Sequence, residues 1–510
     1  MIIFLCLIFF LIWFRMMFLK IENYLHILQL EGYNSKKFKN WARQNKIIIY
    51  KKNKNSKKPF IYTARAKRLT LIIYSLILLD FLITLTIVFM IFNLIFSSYN
   101  INYIILSISI LSMSISYFAC IYHIFLANYI SLFLENKINK RFYNMAKEKI
   151  KKLSDNGLIT VGITGSYGKT SVKFISSAIL SQKFRVLSSP ESYNTPMGIS
   201  KVINNELNED HEIFVAEMGA TKKGDIEELA ILTNPQIGLI TSIGACHLQS
   251  FGSIENVADT KYELIEKLPD IGIAIFSNDN TYLRALANKT EKKKLLYAIE
   301  NIETADIYAK DISVNEEGSS FTLCIKDKGS INCKTSLLGK HNILNILAAV
   351  SIAHVLGMNL NEISIGIKKI LPVKHRLELI DPKTGILVID DAYNSNPDGA
   401  EAALDVMSEF KDRRKIIVTP GMVELGEIEK SENEKFGEKI SKVCDIAILV
   451  GKKRTEPIYN GLIRTGFNSN NIYVVNSTND STEIIKKIAK QGDIVLYEND
   501  LPDIYDESAN

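Results

Sequence analysis

Residues 158–180 read LITVGITGSYGKTSVKFISSAIL: a β-branched run, a short loop holding Gly165 and Gly168, and then an apolar-periodic stretch that starts at Lys169. A strand that turns through glycines into a helix commits this part of the chain to an α/β fold. Gly165 and Gly168 let backbone amides of the loop approach phosphate oxygens, with Ser166 and Ser171 completing it. Lys169 supplies a mobile cation for the β- and γ-phosphates of a nucleotide such as ATP, and Thr170 offers a hydroxyl to Mg²⁺. The usual phosphate loop has the spacing GxxxxGK[ST], but Ile163 stands where its first glycine would fall, so the loop here is the tighter GxxGKT.

The strand and helix alternation continues. EIFVAEMGA precedes DIEELAIL, and QIGLITSIG and IGIAIFSND follow, a pattern that predicts a parallel sheet. From Tyr308 to Leu338 the alternating ISVNEEGSSFTLCIKD predicts antiparallel strands inserted before the last helix of this unit. A second series begins after Leu371 with GILVIDDAYN, RKIIVTPGM, DIAILVGKK, NIYVVN and GDIVLYEND, with helices near 399–410 and 430–443. It predicts a Rossmann-like α/β unit. The expected division is a membrane region over 1–152, an ATP-binding domain over 153–371 and a C-terminal domain over 372–510.

Residues 1–152 are different material. Three apolar runs, near 2–19, 69–96 and 103–130, are each close to or above the ~20 residues that a membrane-crossing helix needs. The first lacks the basic start and small-residue cleavage site of a signal peptide. Lys20 to Arg68 holds fourteen Lys and Arg, the connector Ser98 to Asn102 holds none, and the stretch after the third run is basic again. Cytoplasmic loops collect such residues, so the N-terminus is expected outside and everything after about residue 131 in the cytoplasm. Residues 1–152 carry 22 Lys and Arg against 5 Asp and Glu (+17), and residues 153–510 carry 39 against 50 (−11), which together give the +6 of the chain. Because the basic residues flank apolar runs, membrane lipid and not nucleic acid is their expected partner. The six cysteines show no CxxC pair or metal-ligand spacing and read as reduced.

Beyond the phosphate loop, several segments follow in a fixed order: Tyr193-Asn-Thr-Pro-Met-Gly198, Val215-Ala-Glu-Met-Gly219, Thr241 to Gly252 with His247, Val257-Ala-Asp-Thr-Lys261, Gly339-Lys-His-Asn-Ile-Leu-Asn345, His375-Arg376 and Asp390-Asp-Ala-Tyr-Asn-Ser-Asn-Pro397. With the GxxGKT loop, this series resembles the Mur ligase family of cell-wall peptide synthesis over roughly residues 155–510. The last segment resembles the DDxYNxNP run of the MurF branch, which adds a D-alanyl-D-alanine-type dipeptide. Taken singly, each residue has an ordinary structural use as a cap, a turn or a solvated side chain. Their order behind the phosphate loop is what carries the resemblance.

That resemblance implies an ATP-dependent ligase that activates a carboxylate as an acyl phosphate and joins it to an amine. It implies that Glu217 and Thr170 ligate Mg²⁺, one ion or two, that His247 contributes to a metal site, and that Lys261 is carbamylated to become an anionic oxygen ligand. Asn342 and Asn345 are expected beside the adenine, Arg376 on the phosphates, and Asp390 or Asp391 at the nucleotide. Asn194, Thr195, Tyr393, Asn394 and Asn396 are expected on the substrate side. Lys169, Arg376 and Mg²⁺ would then neutralise the transferring phosphoryl group.

The sequence also departs from the family. Membrane helices stand where a soluble UDP-sugar domain is usual, which points to a lipid-linked or membrane-proximal precursor peptide as acceptor and an amino acid or dipeptide as the incoming amine. The GDxVLxKGS element reads Gly492-Asp-Ile-Val-Leu-Tyr-Glu-Asn-Asp500, the GDMLELG element reads Thr419-Pro-Gly-Met-Val-Glu-Leu-Gly426, and a downstream histidine is Asn433. A pseudomurein-type peptide, another polymer such as polyglutamate, or a membrane-tethered ATPase that has lost ligation are the competing readings.

Overall fold

The computed structural model describes residues 2–44, 59–95, 101–190, 193–244, 248–392, 395–423 and 425–501. The chain divides into two compact units between Arg141 and Phe142.

The three apolar runs form helices. In the first unit α1 (Ile2–Leu30) is followed by α2 (Ser35–Gln44), α3 (Ala64–Ile95) and the start of α4 (Ile101–Asp155). Met17, Ile21, Leu25 and Leu28 of α1 recur at helical spacing and pack on Leu69, Ile73 and Ile77 of α3 and on Cys120, Ile124 and Ala127 of α4. Large apolar side chains also face outward, among them Phe10, Phe14, Leu71, Leu82, Phe118 and Phe133. Arg68 grips Glu135 with two hydrogen bonds of 2.8 and 2.9 Å, and Ser116 donates to Asp80 at 2.6 Å. Among the described residues one helical stretch, Ser109–Asp155, is long and apolar enough to cross a membrane.

In the second unit the first sheet is built from β1 (Ile159–Thr164), β2 (Val186–Ser188), β3 (Ile213–Glu217), β4 (Ile237–Ile240), β5 (Ile273–Ser277), β6 (Lys293–Ala298), β7 (Ile307–Asn315), β8 (Gly318–Ile325) and β9 (Gly329–Thr335). Its order is β2-β3-β1-β4-β5-β6-β7-β8-β9. The strands run parallel through β7, and β8 and β9 are antiparallel, as the alternating segment predicts. β3 shows why the parallel part is a buried layer. Ile213 and Val215 join the core that packs α5 (Lys169–Leu180), α11 (Lys340–Val355) and α12 (Leu360–Lys368). Phe214 and Ala216 point to the opposite core, with α6 (Pro196–Asn205), α7 (Asp225–Thr233), α9 (Ile254–Glu266) and α10 (Thr281–Lys289). A short α8 (Leu248–Phe251) precedes α9.

Two helices follow the antiparallel strands, where one was expected. Gly357, at φ 73°, ends the first, and Asn359 opens the second through a capping box with Glu362.

The second sheet comprises β10 (Glu378–Ile380), β11 (Leu387–Asp391), β12 (Lys415–Thr419), β13 (Ile446–Val450), β14 (Ile472–Val475) and β15 (Ile494–Glu498), in the order β10-β11-β15-β12-β13-β14. Only its edge strand β10 is antiparallel to its neighbour. α13 (Pro397–Glu409), α14 (Glu429–Val443), α15 (Glu456–Arg464) and α16 (Thr478–Ile488) cover it. Both sheets therefore offer their ligand-binding ends where parallel strands stop and the chain turns into loops.

Candidate active site

The loop between β1 and α5 is held open by its neighbours. Ser166 N–H donates to the Ser242 carbonyl at 2.8 Å, Tyr167 N–H donates to Ser242 Oγ at 2.9 Å, and Ser166 Oγ donates to the Gly244 carbonyl at 3.1 Å. Gly165 sits at φ 149°, and a Cβ there would lie 2.0 Å from Thr241 Oγ1, so no other residue fits without moving the strand end. Gly168, at φ 79°, opens α5, and a Cβ on it would lie 2.7 Å from Asn345 Oδ1. The structure thus brings Asn345 to the loop. Lys169 Nζ is curled over the loop and donates to the Gly165 and Ser166 carbonyls at 2.6 and 3.1 Å. Ser171 lies in the first turn of the helix.

Glu217 closes this site from the end of β3. Its Oε1 accepts from Thr170 Oγ1 and from Asn194 Nδ2, both at 3.1 Å. Its Oε2 lies 3.0 Å from Lys173 Nζ, and neither side chain of that pair reaches solvent. Sequence reasoning misses Lys173. The available signal is a charged residue within the otherwise apolar buried face of α5, beside Val172 and Ile175.

Two residues expected on the substrate side use their acceptors elsewhere. Thr195 caps α6 by accepting from Gly198 N–H, ahead of Pro196. Asn396 caps α13 by accepting from Gly399 N–H, ahead of Pro397. Asn342 is also structural in its visible contacts: it is buried and donates to the Leu338 carbonyl at 2.9 Å. Lys261 is buried on α9, with its Nζ 5.9 Å from the centre of the Phe251 ring. His247, Tyr393 and Asn394 lie outside the described residues.

At the second sheet, adjacent strands end in acceptors. Asp390 pairs with His375 Nδ1 at 2.7 Å, while Asp391 accepts from Leu377 N–H at 3.2 Å. Burial pushes the Asp391 carboxyl up to about 6, against the pull of Arg376. Glu498 ends β15 with only 1% of its surface exposed and accepts from the hydroxyls of Ser395 and Thr419. Burial raises it to about 7 although both hydroxyls favour the ionised form. Asn499 follows at φ 66°, a backbone state open chiefly to Gly and Asn, which explains how an asparagine holds a place where glycine is usual. Its Nδ2 donates to the Gly421 carbonyl at 2.7 Å, and its buried Oδ1 has no hydrogen-bond partner among the described residues. Asn433 is buried too, accepting from Met422 N–H and donating to the carbonyls of Met422 and Glu429.

Among the described residues no group of three or more His, Cys, Asp and Glu gathers into a metal cluster. A hydroxyl and a carboxylate beside a phosphate loop nonetheless fit Mg²⁺, which takes few protein ligands and completes its shell with water and phosphate.

Fold and site together define a two-domain α/β enzyme with a phosphate loop on one sheet and strand-end carboxylates on the other. Residues 163–353 match the Mur ligase middle domain, and residues 375–497 match the Mur ligase, glutamate ligase domain. The UDP-N-acetylmuramoyl-tripeptide--D-alanyl-D-alanine ligase of Bacillus subtilis is 30% identical over 347 residues, which cover 68% of this chain and 74% of that protein. The Escherichia coli ligase of the same name is 33% identical over 294 residues, covering 58% and 64%. The structure of the MurF ligase of Thermotoga maritima in complex with ADP aligns with a TM-score of 0.63 at 26% identity, over 71% of this chain and 80% of that one. The chain belongs to the Mur ligase family, whose members are ATP-dependent amide-bond ligases.

Proposed function

We propose that the chain is a membrane-anchored ligase of cell-wall precursor synthesis, which joins a D-alanyl-D-alanine-type dipeptide to the terminal carboxylate of a precursor peptide. The observation that carries this reading is the joined cluster of Thr170, Asn194 and Glu217 beside the Gly165–Lys169 loop. Its support is a family match that continues from this loop through both domains, spanning 163–353 and 375–497.

In this reading the backbone of Gly165, Ser166 and Gly168 cradles the ATP phosphates, and Lys169 leaves its own loop carbonyls to meet them. Asn345 and Asn342 border the adenine, and Arg376 and Asp391 approach the nucleotide from the second domain. Thr170 and Glu217 would hold Mg²⁺, with His247 and a carbamylated Lys261 as further ligands, and the ion would supply positive charge to the phosphates. The acceptor carboxylate takes the γ-phosphoryl group, releasing ADP. The amine then attacks the acyl phosphate, forming the amide and releasing phosphate. Protein groups here position and neutralise, which is most of what phosphoryl transfer requires. The working domains are 153–371 and 372–510, with Asn194, Tyr393 and Asn394 assigned to peptide binding and Thr195 and Asn396 serving as helix caps.

We further propose that α1, α3 and α4 each cross the membrane, with the second unit cytoplasmic and the acceptor lipid-linked. Their length, the outward apolar side chains such as Phe118 and Phe133, and the basic flanks support this. The test supplies solubilised protein, ATP and D-alanyl-D-alanine with either UDP-linked or lipid-linked tripeptide and detects the product by mass. Faster turnover of the lipid-linked peptide is expected. Preference for the soluble one refutes the lipid-linked acceptor, and no product with any peptide refutes the ligase.

A further inference from the structure

Lys173 is the feature of the site that the ligase reading leaves unused. It lies on the helix that begins with the phosphate loop, its Nζ is 3.0 Å from Glu217 Oε2, and both side chains are removed from solvent. The other oxygen of Glu217 already accepts from Thr170 and Asn194. Two donors hold one oxygen of the carboxylate, and the lysine ion pair on the other balances its charge.

We infer that Lys173 is a positioning residue that holds the Glu217 carboxylate ready for a divalent cation while denying that cation a tight site until nucleotide arrives. The inference rests on Glu217 being the metal carboxylate of the proposed ligase. A buried carboxylate without a compensating charge attracts Mg²⁺ strongly. With an ammonium at 3.0 Å the net local charge is near zero, so a free cation gains little there. ATP phosphates add several negative charges beside Thr170 and reverse that balance. Metal would therefore bind as the nucleotide complex, beside the loop where Glu217, Thr170 and Asn194 meet.

Thermal unfolding of the solubilised full chain, with Mn²⁺ as probe, tests this without using activity. Wild type should show no gain from Mn²⁺ alone and a clear gain from Mn²⁺ with ADP. Lys173→Met should melt roughly 5 °C or more below wild type in chelator, because a buried pair has lost one partner. Mn²⁺ alone should restore much of that loss, and the rescue should disappear in Lys173→Met combined with Glu217→Gln. A lysine that served only core packing would give a melting loss that Mn²⁺ does not mend, which would overturn the inference. So would Mn²⁺ stabilisation of wild type without nucleotide that is lost in Glu217→Gln. If Lys173→Met does not fold, that wild-type and Glu217→Gln comparison decides alone. Failure of Mn²⁺ with ADP to stabilise wild type would instead count against the nucleotide site itself.

Discussion

The two sheets of the second unit present strand-end carboxylates in opposite electrostatic states. At the end of β3, Glu217 is matched by Lys173, a hydroxyl and an amide, so its charge is balanced inside the protein. At the ends of β11 and β15, burial pushes Asp391 and Glu498 up towards neutrality, with the Asp390 charge adding to the first and the Asp391 charge to the second. The first arrangement suits a ligand of invariant chemistry, a polyphosphate with its metal. The second includes Asn499 Oδ1, which has no hydrogen-bond partner among the described residues. The β3 end is thus preset, and the β11 and β15 end responds to pH.

The comparison breaks most readily at Lys169. Lys169→Ala should lower ATP-dependent phosphate release about 10²- to 10³-fold, the usual cost of losing one preorganised donor to a developing charge. A drop of only a few-fold would mean that the preset end does not handle the phosphates. Gly165→Ala comes next. Its methyl would collide with Thr241 at a backbone φ of 149°, and about 3 kcal/mol of stability should be lost in denaturant unfolding.

The β15 end gives a smaller, pH-dependent effect. A carboxyl raised in the folded state stabilises the fold fully below its unfolded pKa, and that contribution is lost as pH rises through the folded value. For Glu498 the window runs from about 4 up to about 7. Glu498→Gln, which keeps an oxygen for the hydroxyls, should therefore gain on wild type between pH 5 and pH 8 by on the order of 2 kcal/mol. An equal difference at both pH values would show that Glu498 is not held towards neutrality. Smallest of all is Asn499→Gly, which meets the positive φ without strain and removes the unpartnered Oδ1, offsetting the lost bond to the Gly421 carbonyl, so that stability should change by less than about 1 kcal/mol.

What the sequence revealed follows the same division. The phosphate loop and the parallel strands were legible because local chemistry dictates them, glycines at positive φ and β-branched runs, whereas Glu217 was legible only through the order of the segments behind the loop. Lys173 was not, since its partner lies 44 positions away in the chain and only the parallel pairing of β1 with β3 brings Glu217 beside α5. The capping roles of Thr195 and Asn396 were readable from the following prolines but were overshadowed by the motif. Glu498 was visible as a departure, yet its burial between Ser395 and Thr419 depends on β15 lying between β11 and β12, an order that no local pattern encodes.

Phosphate release by the solubilised full chain, with ATP and Mg²⁺, should be measured across a matrix of acceptor peptides and amines, with Lys169→Ala as control. The account predicts release only where an acceptor and an amine are present together, and its loss in the variant. Release that ignores both partners would contradict ligation and leave a membrane-tethered ATPase.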